Sequence, residues 1–252
     1  PRDTNEARFL GMSRFSFRKK IEHRLRVLLG RAYRPSVSKG EHSTLLGGEG
    51  EGYGVWPCIL ELLNSNSVVY SVGVGFDIKF DLALMERTGV TVFAFDPTPR
   101  VVEWVEESID SSQFRFEPIG LGWRDAEMEF ALPVDETSVS GTLMAEGSSL
   151  SRTINVPIER VSTIMKRLSH EKIDLLKLDI EGAEYGVLRD MLDMGVFPTQ
   201  ILVEFHHGKR KKGRVPVSET KKLVERLRGF GYSIFWASES GRELALVRRR
   251  VG

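Results

Sequence analysis

Apolar residues along this chain fall into two kinds of segment. Some are short unbroken runs, such as Val68, Val69 and Val72, then Val92 and Phe93. Runs of that sort suit strands covered on both faces. Elsewhere apolar residues recur every three or four positions, as on amphipathic helices. Strands are therefore expected near 68–72, 91–95, 113–117, 173–178, 200–205, 232–237 and 243–249. Helices are expected near 55–64, 78–88, 98–109, 160–169, 183–194 and 217–229. Such alternation implies right-handed crossovers and a mostly parallel α/β sheet with helices on both faces. The stretch GGEGEGYG, 47–54, reads as a flexible loop. Residues 126–158 break the rhythm with polar turns and short β-like pieces, and read as an edge hairpin or flap.

The length of 252 residues allows one large domain or two small ones. No run of eighteen apolar residues occurs, so no membrane span is expected. No segment resembles a secretory leader. The single cysteine, Cys58, has no internal partner, which agrees with a reducing, cytoplasmic setting. The net charge of +1 conceals an asymmetry. Residues 1–40 hold eleven basic and three acidic side chains, so they carry +8 while the rest carries −7. Phe17, Ile21, Leu25 and Leu28 recur there at helical spacing among basic residues, which predicts a basic amphipathic helix over about 16–31. One reading docks that helix on the domain with its basic face in solvent. The other puts it on an anionic surface, either a membrane's lipid headgroups or a polyanionic glycan. Nucleic acid is not expected, because no aromatic pattern of an RNA module is interleaved. The chain thus divides into a basic arm, 1–46, and a catalytic domain, 47–252.

In VVYSVGVGFDIKFD, 68–81, a strand breaks into a Gly-x-Gly turn at Gly73 and Gly75. A strand, a glycine turn and a helix make a nucleotide-binding corner. Asp96 ends the next strand, 21 residues after Gly75, where an acid accepts ribose hydroxyls. It also stands where it could cap the helix that begins beyond Pro97. A dinucleotide requires a third glycine where this chain has Ile78, and Asp77 stands where phosphates would go. The corner therefore suits a nucleoside that carries positive charge and no phosphates, namely S-adenosylmethionine. A nicotinamide-dependent oxidoreductase is disfavoured by the same two residues, and no P-loop follows the turn. Asp77 is expected either to meet the methionine ammonium or to cap the helix.

A second group follows in IDLLKLDIEGAEYGVL, 173–188, and QILVEFHH, 200–207. Each is a buried strand with acids at its end, and parallel strands place those ends on one edge. His206 is the first choice of general base, because its ordinary pKa lies nearest neutrality. Glu204 would orient that imidazole or hold the acceptor. Asp179 is the alternative base, with Glu181 a further partner. Lys177 should share the face of Asp179 as an electrostatic partner. His207 should point the other way, and Glu184 reads as a first-turn helix acid. Asp179, Glu181, Glu204 and His206 could instead bind a divalent cation. Direct base catalysis without a metal is the reading taken.

KLDIEGAE with VEFH, behind VVYSVGVG and AFDPTP, resembles the FkbM-type methyltransferases over roughly 50–247. The resemblance implies a seven-stranded Rossmann-like sheet with its last strand antiparallel. It also implies S-adenosylmethionine as cofactor and O-methylation of a hydroxyl on a sugar or other small natural product. Gly73 and Gly75 would then face the cofactor, Asp96 with Pro97 the ribose, and Asp179 the methyl-transfer site. The commoner family turn has an acid at the position of Ser71 and a glycine at that of Asp77. Ile119 and Gly120, after the third strand, are expected near the adenine. Tyr53 and Trp56 could cover the cofactor. The basic run at 206–214 could close over an anionic acceptor. A non-catalytic Rossmann-like protein that binds an anionic partner is the rival reading.

Overall fold

The computed structural model describes residues Leu25, Val27, Leu29, 32–48, 54–131, 142–143, 153–208 and 215–249. Most of the expected basic helix at 16–31, Tyr53 and the basic run at 209–214 lie outside the described residues.

The centre is a seven-stranded sheet built from β3 (Val68–Val72), β4 (Thr91–Phe95), β5 (Phe114–Glu117), β10 (Leu175–Leu178), β11 (Gln200–Glu204), β12 (Tyr232–Ala237) and β13 (Glu243–Arg248). Their order across the sheet is β12-β13-β11-β10-β3-β4-β5. The five strands from β11 to β5 run parallel, while β13 runs antiparallel to both its neighbours. This is the mostly parallel Rossmann-like sheet expected. Helices α1 (Lys79–Thr88), α2 (Pro99–Ser108), α3 (Val161–Arg167), α4 (Glu184–Asp193) and α5 (Val217–Gly229) form the crossovers.

Alternate residues of each strand enter two separate cores. Tyr70, Val72, Leu176, Leu178, Ile201 and Val203 pack on one face. Val69, Val92, Leu175, Leu202 and Val247 pack on the other. Both faces are therefore dry, as the unbroken apolar runs require. The chain winds from β3 outward to β5, then returns to lay β10 on the other side of β3. The carboxyl ends of β3 and β10 part company at this reversal, where open α/β sheets bind ligands.

Two expected elements differ. The expected helix over 55–64 is strand β2 (Trp56–Cys58), paired antiparallel with β1 (Thr44–Leu46), and then one short 3-10 turn at Leu60–Leu62. The cause is long-range. The buried side chain of Gln200 accepts from Ile59 N at 2.9 Å and donates to Ile59 O at 3.1 Å. Those backbone groups are thereby withdrawn from a helical ladder. The expected flap at 126–158 is instead part of a second sheet of four strands. It joins β6 (Gly120–Gly122), β7 (Ala126–Ala131), β8 (Thr142–Leu143) and β9 (Thr153–Arg160) in the order β6-β9-β7-β8. Met128, Phe130, Val156 and Ile158 give this sheet a small core of its own.

Residues 33–38 touch the main body. Tyr33 is buried in the first core, and Ser38 N donates to Ile234 O at 2.7 Å. Among the described residues no helix is long and apolar enough to cross a membrane.

Candidate active site

A cavity of about 50 Å³ opens at the parting of β3 and β10. Its lining comes from the glycine turn (Gly73, Val74, Asp77, Phe80), the β2 segment (Gly54, Val55, Trp56) and three strand ends (Lys177, Asp179, Glu204, Glu243). At roughly 10–15 Å³ per enclosed water, it holds the end of a ligand rather than a whole one. Gly73 joins the two sides. It adopts φ +78°, and a Cβ there would lie 1.8 Å from the backbone oxygen of Asp179. Any side chain would push the turn away from the strand that carries the acids.

The turn is pinned from the next strand. Asp96 Oδ2 accepts from Gly75 N at 3.0 Å and Oδ1 from Thr98 N at 2.9 Å. The acid thus fixes the corner's shape, and α2 is capped at Thr98 with Pro99 at its first position. Asp77 Oδ1 accepts from Lys79 N at 2.9 Å, tying it to the first turn of α1 while it still lines the cavity.

Beside the cavity, His206 sits among four carboxylates. Its backbone N donates to Glu184 Oε1 at 2.7 Å, and its Nδ1 lies 3.3 Å from the same oxygen. A carboxylate only accepts, so Nδ1 carries a proton. Nε2 lies 3.4 Å from Glu181, 3.8 Å from Glu204 and 3.9 Å from Asp179. Burial pulls the imidazole pKa down, but the hydrogen bond to Glu184 and the charges of Glu184, Glu181 and Glu204 outweigh it, raising it to about 9. His206 is therefore an imidazolium at neutral pH, which runs against its expected role as general base. Glu204 also lies above its ordinary value, but for a different cause. Burial first, then the neighbouring Asp179, Glu243 and Glu181 against the pull of His206, lift it to about 7. Burial likewise raises Asp179, opposed by Lys177 and His206. Glu184 is fully buried at the start of α4, and its other oxygen accepts from Gly182 N at 2.7 Å. It is more than a first-turn acid, since it holds the imidazole in place. Ligand atoms of Asp179, Glu204 and His206 all lie within 4.8 Å of one another, a donor set that could hold a divalent cation.

Beneath the cavity lies a contrasting group. Lys177 and Ser71 are register partners on β10 and β3, and Asp81 of α1 packs over them. All three are buried, with Lys177 5% and Asp81 1% exposed. The Ser71 hydroxyl lies beside the Asp81 carboxylate, yet neither side chain makes a hydrogen bond of acceptable geometry. Burial raises the Asp81 pKa, opposed by the charge of Lys177. Lys177 Nζ stands 5.9 Å from the centre of the Trp56 ring.

The structure thus brings Gly73, Asp77, Asp179 and Glu204 into one cavity, with Glu181 and His206 against its acids. Gly75 is joined to it through Asp96. Ser71 is buried below. Pro97, Ile119 and Gly120 are not in the cavity lining. A Cβ on Gly120 would meet Ile158 Cδ1 at 2.5 Å and Pro97 Cγ at 3.3 Å, so this glycine is needed for the packing of β6 on β9. His207 is turned to α5, its Nδ1 3.1 Å from Thr220 Oγ1. Sequence reading missed Glu243 and Asp81. Glu243 enters as the register partner of Glu204, information that only strand pairing supplies. For Asp81 a signal existed, an acid at the third position of α1 opposite a missing acid at Ser71.

Known proteins share this arrangement of sequence. The Methyltransferase FkbM domain matches residues 47–234. The human Probable methyltransferase-like protein 24 is 24% identical over 148 residues, 58% of this chain and 34% of that protein. The Hexuronic acid methyltransferase AglP of Haloferax volcanii is 24% identical over 152 residues, 60% of each chain. The present chain therefore spans between a third and three-fifths of the length of these relatives. The Methanococcus jannaschii fibrillarin pre-rRNA processing protein superimposes over 84% of this chain and 86% of its own, at 11% identity and a TM-score of 0.41, too distant to carry an argument. With the family's domain covering most of its length, and its diagnostic acids gathered at the parting of β3 and β10, this chain belongs to the FkbM methyltransferase family.

Proposed function

We propose that the protein transfers a methyl group from S-adenosylmethionine to a hydroxyl of a sugar or other small natural product. The observation that carries this reading is the contact of Gly73 with the Asp179 carbonyl. It makes a nucleoside-binding turn and a cluster of proton acceptors into two walls of one cavity. A bare glycine turn, an acidic lining and a lone lysine fit a cofactor that ends in an α-amino acid and carries a sulfonium. The lining offers poor company to a pyrophosphate. When bound, the cofactor supplies an electrophilic methyl, which leaves sulfur as the acceptor oxygen attacks in line.

The chain's own residues align and deprotonate. Gly73 and Gly75 hold the turn against β10. Glu204, lifted to about 7, accepts the hydroxyl proton as the O–C bond forms. The His206 imidazolium, fixed by Glu184, offsets the charge of the surrounding acids and holds the Glu204 carboxylate in place. The convergence of Asp179, Glu204 and His206 favours one second reading, in which these three hold a divalent cation and His206 is neutral. The relative that acts on hexuronic acid supports a sugar as the acceptor class.

Incubation with methyl-labelled S-adenosylmethionine and a panel of neutral and acidic sugars tests the reading. Label should appear on oxygen, with a rate that rises as pH passes about 7 and Glu204 ionises. Glu204→Gln should lower kcat by about 10²–10⁴-fold. Loss of activity on chelation and its return with Mg²⁺ or Mn²⁺ would select the cation reading. A protein that binds no S-adenosylhomocysteine is not a methyltransferase.

A further inference from the structure

Among the described residues Lys177 is the one cation of the cavity lining. It is 5% exposed, lines the cavity, and among the described residues makes no hydrogen bond and no ion pair within 4.0 Å. A buried ammonium without an acceptor is unfavourable unless something else supplies one. Its surroundings enclose it on three sides. The Asp81 carboxylate on one side and that of Asp179 on the other both feel its field. The Trp56 ring flanks it at 5.9 Å. Lys177 therefore reaches the cavity from a buried position on β10.

The charges opposite narrow the ligand. Asp77, Asp179, Glu204 and Glu243 share the lining with this single lysine. A simple anion would gain one favourable contact and meet four acids. A zwitterion, with a carboxylate and an ammonium on one carbon, satisfies both signs at once. Two of the four acids are already engaged, Asp77 with Lys79 N and Glu243 with the hydroxyls of Ser238 and Ser240. Asp179, which has no hydrogen bond among the described residues, is the freer partner for an ammonium.

We propose that Lys177 receives the α-carboxylate of the methionine half of the cofactor, with Asp179 taking the adjacent ammonium. The lysine would thus anchor the end of the donor that the glycine turn alone does not grip. Asp81 is a positioning residue in this scheme, standing in for the acid absent at Ser71 and acting on the cofactor through Lys177. The assignment rests on the methyl-donor reading above.

Calorimetry separates the two. The full chain and its Lys177→Met and Lys177→Arg variants are titrated with S-adenosylhomocysteine and with 5′-methylthioadenosine, which lacks the amino acid. Lys177→Met should weaken S-adenosylhomocysteine at least tenfold and leave 5′-methylthioadenosine unchanged. Lys177→Arg should recover part of the loss. An unchanged affinity for S-adenosylhomocysteine, or an equal loss for both compounds, overturns the assignment while leaving the methyl-donor reading intact. Unchanged affinity with a raised KM for an acidic sugar would move the carboxylate to the acceptor, and also overturns it. A wild-type protein that binds neither compound overturns the proposed function itself.

Discussion

His206 and Lys177 are cations on the same edge of the sheet, and they keep opposite company. The imidazole has three carboxylates within 4 Å of Nε2 and a fourth on Nδ1. The ammonium, just below, has none within that distance among the described residues. In the first group the protein has already spent the positive charge on its own acids. In the second the lysine is buried beside the cavity with no acid paired to it among the described residues. A group satisfied by its own fold is prearranged for chemistry, whereas one left wanting is prearranged for binding.

The harshest way to break the comparison is Gly73→Ala, which affects both groups at once. Its Cβ would meet the Asp179 carbonyl, and its φ of +78° disfavours any side chain. Strain and overpacking together should cost about 3 kcal/mol or more, read as a lowered midpoint in urea unfolding. Glu184→Gln acts on the satisfied group alone. It keeps the shape but removes the charge that holds Nδ1. The His206 pKa should fall below its value of about 9, seen by NMR titration, and stability should drop by about 1.5–3 kcal/mol. An unchanged titration would mean that the other three acids set it. Asp81→Asn touches the unsatisfied group and should have the smallest effect. Burial raises the Asp81 pKa, so the folded protein binds this proton more tightly than the unfolded chain does. The stability it contributes is full at acid pH and is lost as pH rises through the folded value. The asparagine variant should therefore gain stability at pH 8 and nothing near pH 3, read by urea unfolding at the two pH values. A loss at pH 8 would show that the attraction to Lys177 outweighs burial.

Much of this arrangement was readable in advance because short-range rules govern it. The unbroken apolar runs ending in Asp96, Asp179 and Glu204 marked the strands, and parallel pairing put their ends together. What was not readable depends on contacts across the chain. Ile59 falls in a stretch expected to be helical, yet an amide 141 residues away at Gln200 takes both its backbone groups. Glu243 faces Glu204 only through register. The state of His206 has a similar origin. An isolated imidazole titrates near neutrality, but Glu184 at the helix start, with Glu181 and Glu204, moves His206 well above it. Motifs located the acids, and only their mutual distances show how each shifts its neighbours.

Gln200 and Glu204 occupy the two ends of one strand. At about 3.3 Å per residue they stand roughly 13 Å apart. The lower end grips Ile59 and so suspends the Trp56 wall, while the upper end presents the proton acceptor. A strand hydrogen-bonded on both sides does not stretch, so the gap between wall and acceptor is gauged by the strand itself. A substitution at the foot of the sheet, far from any reacting atom, would thus detune the fit at its head.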